Sequence, residues 1–273
     1  MQGTRKVRID VLLVERGFFP TRQKAQRAIM AGVVYIDEVR VDKAGTKVDI
    51  NANIKVKTDP VPYVSRGGLK LEKAIEIFDI PVKGRTFLDV GASTGGFTDC
   101  LLKNGALRVY AIDVGYGQLD WKLRNDSRVV VLERMNIRYL TPDDLPELAQ
   151  GAVIDVSFIS LKLVVPVIRK LLDCDSHVIA LIKPQFEAGV DKVGKKGIVR
   201  DPDIHKEVLF EIVQFIEKEG FMIVDLTYSP IKGSEGNIEF LVHFYKNKNE
   251  KKSEFDYMEK IPFIVDDAHR ELF

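Results

Sequence analysis

Most of this chain alternates short, almost wholly apolar runs with stretches of helical period. The apolar runs fall at residues 86–90, 108–113, 129–133, 152–157, 177–182, 221–228 and 238–245. Runs of this length predict strands buried on both faces, and the helical stretches between most of them predict parallel crossovers. The last two runs are joined by a short loop containing Pro230, Gly233 and Gly236. Such a loop suits a hairpin but leaves no room for a crossover helix. The pattern predicts an α/β fold: a seven-stranded, mostly parallel sheet covered on both faces, with one antiparallel strand near its end.

Residues 7–58 follow a different rhythm. Ile9, Leu12, Leu13 and Val14 form a helical apolar face that Gly17 ends, and Pro20-Thr21 opens a second helix with Thr21 as its cap. That helix turns Ala25, Ala28 and Ile29 inward, with Arg22, Lys24 and Arg27 around its start and polar side. After Gly32, the runs 33–36 and 39–41 about Asp37-Glu38 read as a β-hairpin. Prolines stiffen Thr58-Asp-Pro-Val-Pro62. The expected division is a small α+β unit at residues 1–59, a linker at 60–66 and the larger domain at 67–273. A charge-rich stretch at 246–260 is expected to be mobile, and a short helix is expected at 266–272.

Composition narrows the classes. The 273 residues hold one domain of about 200 residues and something small. No run of about 18 apolar residues exists, and the first residues lead into no apolar signal segment, so a cytoplasmic protein with no membrane partner is expected. Cys100 and Cys174 share no metal or redox spacing, and His177, His205, His243 and His269 are scattered, so no metal is expected. The sequence sets no oligomeric state. The net charge of +1 hides an asymmetry: residues 1–58 carry 12 Lys/Arg and 6 Asp/Glu, the remainder 29 and 34. A small basic unit on a mildly acidic domain points to a polyanionic partner, with a solvated basic surface as the plain alternative.

The most specific local signal runs from Phe87 to Thr98, Phe-Leu-Asp-Val-Gly-Ala-Ser-Thr-Gly-Gly-Phe-Thr. It reads as a buried strand, a Gly-rich turn and a helix, and the next strand ends in Asp113, 24 residues after Asp89. That is the nucleotide-binding start of a doubly wound domain. The glycines are expected to let backbone N–H groups approach a ligand, and Asp113 to accept from both ribose hydroxyls. The loop is not Gly-x-Gly-x-x-Gly, and Asp89 would repel a pyrophosphate while suiting an amino group. S-adenosylmethionine is such a ligand. A Gly-rich turn without a cofactor is the bland alternative.

Ligands of such sheets bind at the carboxyl ends of the strands, so polar residues ending strands are the candidates for chemistry. Asp155 lies near the end of the fourth strand, Lys183 follows the run 178–182, Glu239 begins the last strand, and Lys70 lies on the helix before the first. Each has an ordinary structural reading as a cap, turn or surface residue. Together, Lys70, Asp155, Lys183 and Glu239 resemble the catalytic tetrad of FtsJ-like ribose 2′-O-methyltransferases. Methylating a sugar hydroxyl needs in-line positioning and removal of a proton. An unperturbed lysine is only about one-thousandth neutral at pH 7.5, a cost of about 4 kcal/mol. Lys183 is the candidate base and Asp155 its orienting partner, with Lys70 and Glu239 fixing the hydroxyl; alternatively, the lysines stabilise a developing alkoxide. Amino-group methylation fits less well, because Asp155-Val-Ser-Phe158 is not an Asn/Asp-Pro-Pro-aromatic turn. Cytosine C5 methylation fits less well too, because acids flank Cys174.

The pattern Arg-x-Asp-x-Leu-Leu followed by Thr-Arg-x-x-Ala-x-x-x-Ile-x-x-Gly-x-Val resembles the S4 RNA-binding domain. That resemblance implies that Arg8, Arg22, Lys24, Arg27 and Arg40 face RNA phosphates. Joined to it are the motifs at 91–98, Asp-Val-Gly-Tyr-Gly-Gln-Leu at 113–119, Leu-Arg-Asn-Asp at 123–126, Asp-Val-Ser-Phe-Ile-Ser-Leu at 155–161 and Lys-Pro-Gln-Phe-Glu at 183–187. In this order they resemble the TlyA/hemolysin A family over nearly the whole chain. The resemblance implies a Rossmann-like methyltransferase domain that transfers a methyl group from S-adenosylmethionine to cytidine 2′-oxygens in the RNA of ribosomal subunits. It also implies cofactor contacts at Asp89, Gly91, Ser93, Gly95, Asp113 and Asn136. Two rivals stand beside it: a cytolytic, membrane-active haemolysin, and a ribosome assembly factor that keeps the fold without the catalysis.

Overall fold

The structure, a computed structural model, describes residues 6–30, 32–56, 62–194, 197–247 and 256–272. Residues 60 and 61 of the expected linker and 248–255 of the charge-rich stretch lie outside the described residues. The chain divides into two compact units, Met1–Gly68 and Leu69–Phe273.

In the smaller unit, β1 (Lys6–Arg8), α1 (Ile9–Glu15), α2 (Arg22–Met30), β2 (Val34–Ile36), β3 (Val39–Arg40), β4 (Lys47–Asp49) and β5 (Ile54–Val56) follow in order. Thr21 caps α2 as its position predicts, its Oγ1 accepting from Lys24 N–H at 3.3 Å. Ile9, Leu12, Leu13, Ala25, Ile29 and Val34 form the core. The expected hairpin is β2–β3, but β2 also pairs with β5, and β1 pairs with β4. These three-residue strands carry too little periodicity to stand out in sequence.

The larger unit continues α3 (Gly67–Phe78) into β6 (Thr86–Val90), α4 (Gly96–Lys103), β7 (Arg108–Asp113), α5 (Trp121–Arg124) and β8 (Val129–Glu133). Then come β9 (Ala149–Ile154), α6 (Leu161–Leu171), β10 (Leu172–Ile182), α7 (Pro184–Glu187), α8 (Pro202–Lys218), β11 (Met222–Tyr228), β12 (Phe240–Lys246) and α9 (Tyr257–Leu272). The sheet order is β11-β12-β10-β9-β6-β7-β8, with β12 antiparallel to both its neighbours. The pairs β10–β9, β9–β6, β6–β7 and β7–β8 are parallel. This is the sheet the hydrophobic pattern predicts. Its five inner strands are buried along most of their length, and apolar residues of α6, α8 and α9 join the sheet in one core.

Several boundaries differ from expectation; β12, for one, begins at Phe240 instead of residue 238. β9 ends at Ile154 instead of residue 157, because the chain leaves the sheet once Asp155 N–H has donated to Val90 O at 2.9 Å. β10 begins at Leu172, which pairs with Ala149 ahead of a register shift. The final helix spans 16 residues with Pro262 inside it, and buries Ile261, Ile264, Val265 and Ala268. That i, i+3, i+4, i+7 stripe places the helix against the core despite the proline. Among the described residues no helix is long and apolar enough to cross a membrane.

The four scattered histidines meet two by two. His177 Nδ1 lies 3.0 Å from His243 Nε2, and His205 Nδ1 lies 2.9 Å from His269 Nε2. Burial pushes His177 and His205 down to about 4 and His243 to about 3, so these pairs are neutral near pH 7. A histidine held neutral by the fold contributes stability above its unfolded pKa of about 6.5 and loses it as pH falls through the folded value. The stability advantage of wild type over a His177→Gln, His243→Gln variant should therefore shrink between pH 6.5 and 4. Chemical denaturation at stepped pH measures it; an advantage that stays constant would contradict the neutral pair.

Candidate active site

Four charged side chains meet at one edge of the sheet because of strand direction. β9 and β10 run parallel, so Asp155 and Lys183 follow their last residues on the same edge. β12 runs the other way, with Phe240 opposite Ile182, so Glu239 arrives at that edge from its beginning. Lys70 reaches it from α3.

Lys183 Nζ forms an ion pair with Asp155 Oδ1 at 2.6 Å and donates to Ser157 Oγ at 3.1 Å. Lys70 Nζ donates to Glu239 Oε2 at 2.6 Å and lies 3.8 Å from Asp155 Oδ2. Only 3% of the Glu239 side chain and about a tenth of each lysine is exposed. Burial pushes the Asp155 carboxyl up, but Lys70 and Lys183 outweigh it and hold the group below the ordinary carboxylate range. Isolated charges at such depth would be costly; pairing makes them tolerable and leaves a lysine ammonium at the end of an oriented carboxylate. Ser157 as a partner of Lys183 carries no signal in the order of residues along the chain.

Beside this cluster lies a cavity of about 760 Å³. Gly91, Ser93, Asp113, Asn136 and Asp155 line it, with Ile112, Met135, Ile137 and Leu163 as apolar wall. Asp89 and Gly95, also expected at the cofactor, are buried and are not among the lining residues. Asp89 is 0% exposed and accepts from Thr98 Oγ1 at 2.6 Å, while its Oδ1 has no partner. Burial pushes its carboxyl up to about 7, against the hydrogen bond from Thr98. Gly95, at φ 94°, caps α4 and sits where a Cβ would meet Leu123 and Leu119 side chains.

The loop corrects one expectation. Its N–H groups do not form an open cradle: Gly91 and Ala92 donate to Ile112 O at 2.9 and 3.1 Å, and Gly95 donates to Ala92 O at 2.7 Å. Ser93 N–H donates to Asp113 Oδ2, and Gly115 N–H to Asp113 Oδ1, each at 2.7 Å. The glycine at 91 serves a close backbone approach instead, since a Cβ there would lie 2.4 Å from Asp155 O. A loop whose amides are spent internally suits a ligand without phosphates. Each Asp113 oxygen keeps a second lone pair for a ribose hydroxyl. The Asp113 carboxylate and the apolar wall fit the ribose and base of S-adenosylmethionine, and the unpartnered Asp89 oxygen, buried outside the cavity lining, has the chemistry to accept from its amino group.

In the smaller unit, Asp10 is 0% exposed and gathers two of the five residues expected at RNA. Arg8 Nε lies 2.9 Å from its Oδ1, and Arg22 Nη2 and Gln26 Nε2 lie 2.9 and 2.8 Å from its Oδ2. Both arginines stay about half exposed. Arg40 pairs with Asp42 at 3.1 Å, while Lys24 and Arg27 are exposed on α2.

Comparison with known proteins follows the same division. The FtsJ-like methyltransferase family matches residues 63–246, and the S4 domain family matches residues 7–54. YqxC of Bacillus subtilis is 54% identical over 98% of this chain and 96% of its own length. The 16S/23S rRNA (cytidine-2′-O)-methyltransferase TlyA of Mycobacterium tuberculosis is 44% identical over 87% of this chain and 89% of its own. A solved structure named as a hemolysin, from Streptococcus thermophilus, superposes with a TM-score of 0.78 at 47% identity and covers 98% of each chain.

Gly91→Ala tests the junction between loop and charge cluster. A left-handed φ of 87° costs an alanine about 1–2 kcal/mol, and the approach to Asp155 O adds to it. The variant should lose at least about 2 kcal/mol in denaturant unfolding; wild-type stability would show that the loop can give way.

Proposed function

The chain belongs to the FtsJ-like methyltransferase family, carries an S4 domain beside it, and is an S-adenosylmethionine-dependent methyltransferase similar to the TlyA and hemolysin A proteins; we propose that it methylates cytidine 2′-hydroxyls in ribosomal RNA. The observation that carries the proposal is the buried Lys70, Asp155, Lys183 and Glu239 cluster beside the cavity. The proposal places the protein in the cytoplasm, where ribosomal subunits are its substrate. The S4 unit supplies the electrostatic attraction to RNA, with Arg8, Arg22, Lys24, Arg27 and Arg40 as phosphate contacts. Arg8 and Arg22 serve twice, because the Asp10 carboxylate that orients them leaves part of each guanidinium exposed.

S-adenosylmethionine supplies a methyl group on a sulfonium, open to in-line attack by oxygen. Asp113 would hold its ribose, Asp89 its amino group, and Gly91, Ser93 and Asn136 the walls beside it, with Gly95 shaping the loop from behind. Lys183 takes the position of proton acceptor or oxyanion partner for the ribose hydroxyl, and Asp155 aims its Nζ. Lys70, held by Glu239, adds a second positive charge against the developing alkoxide. Glu239 fixes Lys70 and keeps the cluster neutral overall.

Methyl transfer from labelled S-adenosylmethionine to unmodified ribosomal subunits, with ribose mapping, tests the proposal. Wild type should label a cytidine 2′-oxygen, and Lys183→Ala should lower the rate at least about 10²-fold. Absence of label on either subunit despite measurable cofactor binding would overturn it. The buried Asp89 gives a second test. An ammonium ligand needs it ionised, so cofactor affinity should weaken by about tenfold for each pH unit below about 7. Asp89→Asn should bind weakly and without that dependence. Calorimetry at pH 5.5 to 8 reads both; a flat wild-type profile would remove Asp89 from the cofactor.

A further inference from the structure

After β9 the chain runs from Asp155 to Ser160 without regular structure, and Phe158 in its middle has φ 64°. This loop carries Asp155 and Ser157, the two groups that Lys183 Nζ touches. Lys183 itself precedes α7, the short turn after β10, and the last residue of that turn reaches back. Glu187 Oε2 accepts from Ser160 Oγ at 2.6 Å, and its Oε1 accepts from Leu161 N–H at 2.9 Å. Between the two crossings, the Phe158 and Phe186 ring centroids lie 5.1 Å apart. Leu161 is the first residue of α6, where a carboxylate is favoured by the exposed N–H groups and the helix dipole. Burial pushes the Glu187 carboxyl above its ordinary value, with the bonds from Ser160 and Leu161 opposing.

The loops after two neighbouring parallel strands are therefore joined at the chemistry and again behind it. A lysine that must change partners during the reaction is a poor tether by itself. A displacement of about 1 Å at such a site costs on the order of 10²-fold in rate. We propose that Glu187 is a positioning residue that ties the Asp155–Ser160 loop to the Lys183 turn, so that Asp155 and Ser157 keep their geometry while Lys183 exchanges partners. The inference rests on the reading of Lys183 and Asp155 as methyl-transfer machinery.

The test compares wild type with Glu187→Gln, Ser160→Ala and Lys183→Ala, all well below their unfolding midpoints. It measures single-turnover methyl transfer to ribosomal subunits, S-adenosylmethionine affinity by calorimetry, and hydrogen exchange over residues 155–162. Glutamine keeps the shape of Glu187 but offers only one accepting oxygen. Its rate should fall about 10- to 100-fold, with cofactor affinity within about threefold of wild type and faster exchange in the loop. Ser160→Ala keeps the bond from Leu161 and should lose less. A Glu187→Gln enzyme with a lowered midpoint but full rate per folded molecule would overturn the inference, and so would a rate loss matched by lost cofactor affinity. Full rate in Lys183→Ala would instead sink the underlying reading, and a slow Lys183→Ala beside a fast Glu187→Gln would sink the inference alone.

Discussion

Asp155 between two lysine ammonium groups is the constraint on which the rest of the larger unit turns. Two lysines and two carboxylates, all largely removed from water, are tolerable only in mutual contact, because each would carry a desolvation cost of several kcal/mol by itself. That contact requires the ends of β9 and β10, the beginning of β12 and one face of α3 to converge within a few ångströms. A purely parallel sheet would bring three strand ends to this edge but would leave Glu239 at the far side. The reversed strand β12, flanked by β10 and β11, solves that placement, and the apolar core beneath holds the register that keeps it.

The same residue links the charge cluster to the cavity. The backbone of Asp155 passes so close to position 91 that only glycine fits, and the next residues of the Gly-rich loop fold onto Ile112 and Asp113. Loop, cavity wall and charged cluster thus form one packed surface in which a shift at one part is felt at the others. The cavity presents one carboxylate, Asp113, and a second, Asp89, is buried outside its lining with an oxygen left unpartnered. The backbone amides of Gly91, Ala92, Ser93 and Gly95, which could serve a phosphate, donate within the fold instead.

Several buried polar groups are satisfied by side-chain pairing, some between residues close in the chain and some across long stretches of it. Asp10 draws Arg8, Arg22 and Gln26 onto one carboxylate in the small unit. His177 meets His243 across adjacent strands, and His205 meets His269 across α8 and α9. Thr98 satisfies one oxygen of Asp89 from the first turns of α4. Each such pair removes an orphaned donor or acceptor and fixes a relation between two elements that apolar contacts alone would leave free to slide.

The sequence by itself determined the strands, their mostly parallel direction and the helical faces of the small unit, and offered Lys70, Asp155, Lys183 and Glu239 as candidates. These follow from period, run length and position at strand ends, which are local properties of the chain. Strand β9 was legible but not its early end, and only residues 266–272 of α9 were expected, because a core that buries Ile261, Ile264, Val265 and Ala268 carries the helix through Pro262, a local helix breaker. Asp155 as the partner of Lys183 was expected, but only the tertiary structure decided the rest: Lys183 with Ser157, Lys70 with Glu239, Glu187 with Ser160, and one histidine with another. Such pairings join residues up to 169 positions apart, and nothing in the local pattern encodes the register that brings them together. The loop glycines show the same division. Their spacing announced a ligand site, but the reason for Gly91 is the backbone of Asp155, which only the folded sheet places there.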